Sequence, residues 1–194
     1  LLPGTGILEI AVQSLHGQGE AEPFEIADLT FFRALEVDEP REIRVTLARS
    51  DAGYEFVELY NDGDEPVCLE GWVLETGNGA YEDRWKLEWT GGGRDTIGAQ
   101  GFFVIGEEWV GPAPDCVTAL DLQNGPDGVR LTDGAEPLDI VGWGEPLFQE
   151  YYEGAPAADV PSGMSLARSP DCFDHDCNAT DFVASTPTPG AANS

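Results

Sequence analysis

GYEFVELYNDGDEPVCLEGWVLETG, residues 53–77, decides how the rest of the chain is read. Tyr54 to Tyr60 predicts a strand, Asn61-Asp62-Gly63-Asp64 a polar turn, and Val67 to Glu75 a second strand. In that second strand Trp72 and Leu74 alternate with Val73 and Glu75, so one face suits a core and the other suits water or a partner. Upstream, Ile43, Val45 and Leu47 alternate with Arg44, Thr46 and Ala48. Downstream, Trp85, Leu87 and Trp89 are expected on one side of a strand, with Lys86 and Glu88 on the other. Phe102 to Ile105, Val117 to Leu122, Val129 to Thr132 and Pro137 to Trp143 continue the series. Gly91-Gly92-Gly93, Asn124-Gly125-Pro126-Asp127-Gly128 and Asp133-Gly134 mark turns between them. Short apolar runs with turns roughly every 8–12 residues predict an all-β chain of sandwich or barrel type.

Residues 1–40 are harder to place. Leu8, Ile10 and Val12 alternate as a strand does, and Ala27 to Val37 reads as strand rather than helix because Leu29-Thr30-Phe31-Phe32 packs well on a sheet. The expectation is an N-terminal β extension, residues 1–40, packed on a domain that spans 41–194. No apolar run nears the ~18 residues of a membrane span. The chain starts at Leu1 rather than Met, so a processed N-terminus is expected.

The 194 residues carry 9 basic and 37 acidic side chains, a net charge of −28, and Lys86 is the only lysine. A field of that sign repels phosphate backbones and argues against direct nucleic-acid binding. It also strains the fold by self-repulsion, which salt or divalent cations relieve.

Four cysteines allow three pairings. Cys172 and Cys177 flank four residues in an Asp-rich loop, close enough to pair, which leaves Cys68 with Cys116. Bridges of those lengths are worth about 2 and about 4 kcal/mol in the chain-entropy model, and they imply an oxidising, exported setting. Zinc on Cys172, His175 and Cys177 lacks a fourth ligand.

The same loop is the best candidate for chemistry. Asp174-x-Asp176-x-Asn178, with Asp181, places oxygen ligands at alternate positions, as the start of a calcium loop does. Ala179 stands where an EF-hand needs Gly and Ser185 where it needs Glu, so a simpler Ca2+ site is the alternative to plain turn capping. Trp85, Trp89, Tyr151 and Tyr152 are candidates for a sugar-stacking platform, whereas Trp72 and Trp143 read as core. Gly163-Met164-Ser165-Leu166-Ala167 approaches a nucleophile elbow but falls in a strand-like segment, and no catalytic residues are assigned. Asn178-Ala179-Thr180 matches a glycosylation sequon.

Four pieces, in order, resemble the bacterial lamin tail domain family. They are EFVELYNDGDEPVCLEGWVL (Glu55–Leu74), GAQGFFVIGEE (Gly98–Glu108), LQNGPDGVRLTDGAEPLDIVGWGE (Leu122–Glu145) and SLARSPDCFDHDCNATDFVASTPTPGAAN (Ser165–Asn193). The last carries the family's Ser-Leu-x-Arg, its Asp/Asn-rich loop closing in Asp-Phe, and the terminal Thr-Pro-Gly-Ala-x-Asn. The resemblance covers roughly residues 41–193 and implies an immunoglobulin-like β-sandwich. It further implies an exported module without catalysis of its own that attaches to or scaffolds a protein or cell-surface polysaccharide. A calcium-dependent carbohydrate-binding module is the alternative expectation. The chain departs from the family in its first 40 residues and in the cysteine pair of the Asp-rich loop.

Overall fold

The computed structural model describes residues 41–47, 54–135, 137–168 and 174–193, with side chains described from residue 54 onward. The chain divides into two units, Leu1–Asp38 and Glu39–Ser194, and every described residue lies in the second. The strands expected within residues 1–40 lie outside the described residues, as does Cys172.

The described chain is all-β with almost no helix. Its first sheet is built on β1 (Arg41–Leu47) and β2 (Phe56–Asn61), joined by β7 (Gly101–Gly106), β8 (Cys116–Val117), β11 (Met164–Arg168) and β12 (Phe182–Ser185) in the order β12-β11-β1-β2-β7-β8. Its second sheet is β4 (Val73–Asn78), β5 (Trp85–Thr90), β9 (Asp127–Thr132) and β10 (Pro137–Trp143), ordered β10-β9-β4-β5. A small ribbon pairs β3 (Val67–Cys68) with β6 (Thr96–Ile97). All pairings are antiparallel except β7 with β8.

Alternation explains which side chains go inside. Val57 and Leu59 of β2, Phe103 and Ile105 of β7 and Leu166 of β11 share one core with Leu74 of β4, Val129 and Leu131 of β9 and Val141 and Trp143 of β10. Each fully buried aliphatic side chain contributes about 1.5–3 kcal/mol. Trp72 and Trp143 are buried as expected, and the Trp143 indole N–H donates to the Gln123 carbonyl at 3.0 Å. The Asn61–Asp64 turn forms around buried Asn61, whose amide donates to Glu65 O and Gly98 O and accepts from Gly63 N–H.

Three local expectations need correction. Val67 to Glu75 is not one strand: Trp72 N–H donates to Leu69 O across a turn in which Gly71 has φ +83°. That left-handed conformation favours glycine, and it separates β3 from β4. Cys68 is therefore not on the Trp72 strand. Val117 to Leu122 contributes only its first residue to a strand, because the segment leaves β7 to reach the other sheet. There Thr118 Oγ1 donates to Glu88 O at 3.3 Å. In β5, Leu74 faces Trp89 while Glu75 faces Leu87, so a bulge at Glu88 reverses the faces. Trp89 packs on Phe103 in the core, with ring centroids 5.7 Å apart, and Leu87 points to water.

A cover closes the outer face of the second sheet. Gly142, Gly128 and Gly77 lie side by side across β10, β9 and β4. A Cβ on them would come within 2.2, 2.8 and 2.5 Å of Tyr151. This bare row seats the 3₁₀ turn Gln149–Tyr151 directly on the sheet. Tyr151 is fully buried, its hydroxyl accepting from Arg84 N–H and donating to Tyr81 O, both at 2.8 Å.

Candidate functional site

Beyond Tyr151 the cover continues into the acidic loop, whose four-residue helix α1 (Asn178–Asp181) leads straight into β12. Asn178 N–H donates to Glu153 O and Ala179 N–H to Ala155 O, which docks the loop on the 153–155 segment. The buried Asn178 side chain completes the junction. Its amide oxygen accepts from Gly142 N–H at 2.9 Å and Glu153 N–H at 3.1 Å, and its amide nitrogen donates to Ile140 O at 2.9 Å.

Arg168 organises the charges. Leu166 and Arg168 share a face of β11, and Asp139, Val141 and Trp143 share a face of β10, so alternation aims Arg168 and Asp139 into the same space between the sheets. Arg168 is completely buried, and its Nη2 lies 2.8 Å from Asp139 Oδ2. Its Nη1 lies 3.2 Å from Asp174 Oδ1 and 3.5 Å from Asp181 Oδ2, and its guanidinium sits 4.6 Å from the Phe182 ring centroid. Burial alone would lower the arginine's affinity for its proton, but Asp139 and Asp174 raise it instead. Against the upward push of burial, the His175 backbone N–H and ring hold Asp181 below the usual carboxylate range. The His175 Nδ1 lies 2.7 Å from Asp181 Oδ1.

Glu153 stands at the border of this cluster. Burial, with Asp139 and Asp174 nearby, pushes its carboxyl up to about 8, so it is largely protonated at neutral pH. A second acidic group gathers around Glu55, the residue before β2, and Asp127, the first residue of β9. Burial lifts Glu55 to about 7 against the Leu122 N–H that it accepts, aided by Glu107, Asp121 and Glu88. Asp127, which accepts from Gln123 N–H, rises to about 7 for the same first reason, with Asp121 and Glu55 adding to it.

Of the four residues expected to share a calcium ion, Asp174, Asn178 and Asp181 are engaged by protein groups. The Asn178 oxygen is occupied by two backbone N–H groups, Asp181 is turned onto Arg168 and His175, and Asp174 Oδ1 accepts from Asp176 N–H. The closer cluster is a different one, Asp139, Glu153 and Asp174, with carboxylate oxygens within 4.8 Å of one another. Arg168 touches two of those three and already supplies the positive charge. The sequon is likewise structural, since Asn178 is buried in the junction.

The aromatic candidates are also dispersed. Trp89 is in the core and Tyr151 is under the cover. Half-buried Trp85 lies on the outer face, its ring 4.6 Å from that of Tyr151 and 4.3 Å from the Arg130 guanidinium, while Tyr152 is half-buried farther along the cover. The four offer no common open face. Cys68, Cys116 and Cys177 are free thiols, so neither the expected Cys68–Cys116 bridge nor the expected bridge of Cys177 to Cys172 is formed. Cys68 is exposed on the β3–β6 ribbon, and Cys116 is half-buried beside β7. Ser165 lies within β11 with its hydroxyl donating to Ser185 O at 3.1 Å, the setting of a strand residue rather than of a nucleophile elbow.

Reading the sequence missed the role of Arg168 and Asp139. The available signal was their position: charged residues at alternate places behind Leu166 and ahead of Val141, on faces otherwise committed to the core. Among the described residues no helix is long and apolar enough to cross a membrane. Compared with known proteins, the chain matches no family model, no curated protein and no solved structure.

Proposed function

We propose that this chain is a non-catalytic binding or scaffolding module of immunoglobulin-like, lamin-tail type, exported and working at a bacterial cell surface. The observation that carries the reading is the meeting at Arg168 of motifs far apart in sequence. Arg168 comes from the Ser-Leu-x-Arg piece, Asp139 from the Asp-Ile-Val-Gly-Trp piece, and Asp181-Phe182 from the end of the Asp-rich loop. Residues that carried the resemblance as letters are thus physically one unit. Their work is to fasten two sheets and a loop together, which supports a rigid frame rather than a reaction centre. A buried guanidinium held by carboxylates is poorly placed to meet a substrate. The acidic exterior suits a protein that works among cations at a surface.

The test is an array of proteins, peptides and polysaccharides read with and without calcium, beside a panel of ester, phosphate, peptide and glycoside substrates. Retention of a protein or polysaccharide ligand without turnover is expected. Turnover that disappears on substituting a cluster residue would overturn the reading. Calcium-dependent retention of a glycan alone would favour the carbohydrate module, whose proposed aromatic platform the burial of Trp89 and Tyr151 leaves without support.

A further inference from the structure

Beyond β7 the chain turns outward at Glu107 and Glu108 and returns as β8, the last strand of the first sheet. Between turn and strand lies an open groove of about 380 Å³, lined by Glu107, Glu108, Trp109, Val117, Thr118 and Ala119. Trp109 and Val117 are each 61% exposed, which is unusual for an indole next to a sheet edge. The groove's floor is well anchored. Val110, behind Trp109, is buried with Phe56 and Val104, and Asp115 accepts from Val104 N–H at 2.8 Å. Glu107 accepts from Glu55 N–H at 3.1 Å, and Glu107 N–H donates to Glu55 O at 2.9 Å. The exposed indole is therefore presented by a fixed backbone.

Charge names the occupant. From residue 95 to residue 129 the sequence holds six acidic residues and no Lys or Arg. An anionic glycan, a nucleic acid or a phospholipid headgroup would be repelled there, and a neutral sugar, though its hydroxyls can donate to the glutamates, gains nothing from the wider negative field. A cationic side chain gains twice, from the indole face and from the flanking glutamates. We infer that the Trp109–Val117 groove receives an extended, Arg- or Lys-bearing segment of a partner protein. One cation lies on Trp109 between Glu107 and Glu108, and a neighbouring apolar side chain lies on Val117. A central aromatic with a charged rim is the arrangement in which a few residues dominate binding. This deepens the binding-module reading and rests on it.

The experiment is an anisotropy titration of a labelled peptide of alternating Arg and Val with the full chain, at low and at physiological salt. The expected result is saturable binding that weakens with salt. It should weaken by about tenfold or more in Trp109→Ala and in Glu108→Lys, and stay unchanged in Leu147→Ala, an exposed apolar site elsewhere. Trp109→Leu, which keeps bulk but loses the π face, should fall nearer to Trp109→Ala than to the parent. Equal binding by all variants would mean diffuse attraction to an acidic surface and would overturn the inference. So would no binding by the parent at low salt. A protein ligand from the array that is indifferent to Trp109→Ala would sink this groove but leave the module reading standing, whereas substrate turnover would sink the module reading itself.

Discussion

At one end of the core Asp139, Asp174 and Asp181 gather around a fully buried Arg168. In another part of the molecule Glu55 and Asp127 lie among Asp121, Glu107 and Glu88, where Lys86, its side chain 57% exposed, reaches Glu88 and Asp121. In the first region a cation balances the carboxylates and Asp181 is held ionised. In the second, burial lets Glu55 and Asp127 keep their protons up to about pH 7. A chain with 37 acids and 9 bases cannot give every acid a cation of its own. It spends one arginine where two sheets and a loop must be joined, and uses protonation where backbone N–H groups already help.

The sharpest way to break the first region is to remove its cation. Arg168→Leu strands Asp139 and Asp181 in the interior and is expected to cost about 3–5 kcal/mol in urea unfolding. A loss below about 1 kcal/mol would mean that the cluster is solvated. Next comes the junction that holds the loop: Asn178→Ala removes three hydrogen bonds between buried or half-buried partners and should cost about 2–3 kcal/mol.

The second region, and with it Glu153 at the border of the first, is sharpened by pH. Glu55, Asp127 and Glu153 bind protons more tightly folded than unfolded, so their contribution is fullest below the ordinary carboxylate range and is lost as pH rises through about 7 to 8. Asp181 acts oppositely, and its contribution is lost as pH falls below about 4. Scanning calorimetry should therefore give a Tm several degrees higher at pH 5.5 than at pH 8. A Tm that climbs from pH 5.5 to 8 would contradict the assignment. Glu153→Gln should raise stability at pH 8 by about 1 kcal/mol, after discounting for partial exposure, and change little at pH 5.5. The smallest effect is expected under the cover, where Tyr151→Phe loses a donor to Tyr81 O and an acceptor for Arg84 N–H, at about 1 kcal/mol by thermal unfolding.

Much of the frame was legible because strand alternation is a local property. Ile43 to Leu47, Phe102 to Ile105, Val129 to Thr132 and Pro137 to Trp143 all form strands where the pattern placed them. The failures came where one residue changes the geometry. Gly71 at φ +83° splits a run that reads as continuous, and the bulge at Glu88 sends Trp89 inward while Trp85 stays outside. The site was less legible because it is assembled from a distance. The Asp-rich loop was recognisable as important, but its purpose depends on Arg168 and Asp139, which lie 29 residues apart and on different sheets. Likewise Gly142 reads as one more strand residue and Gly128 as the end of a turn, and only the register that aligns them with Gly77 makes a seat for Tyr151.

The most direct measurement is a double-mutant cycle on Arg168→Leu and Asp139→Leu by urea unfolding. If the guanidinium fastens one sheet to the other, the double variant loses less than the two singles combined, with a coupling of about 2 kcal/mol or more. A coupling below about 0.5 kcal/mol would contradict it, leaving Arg168 and Asp139 as neighbours that each find other partners.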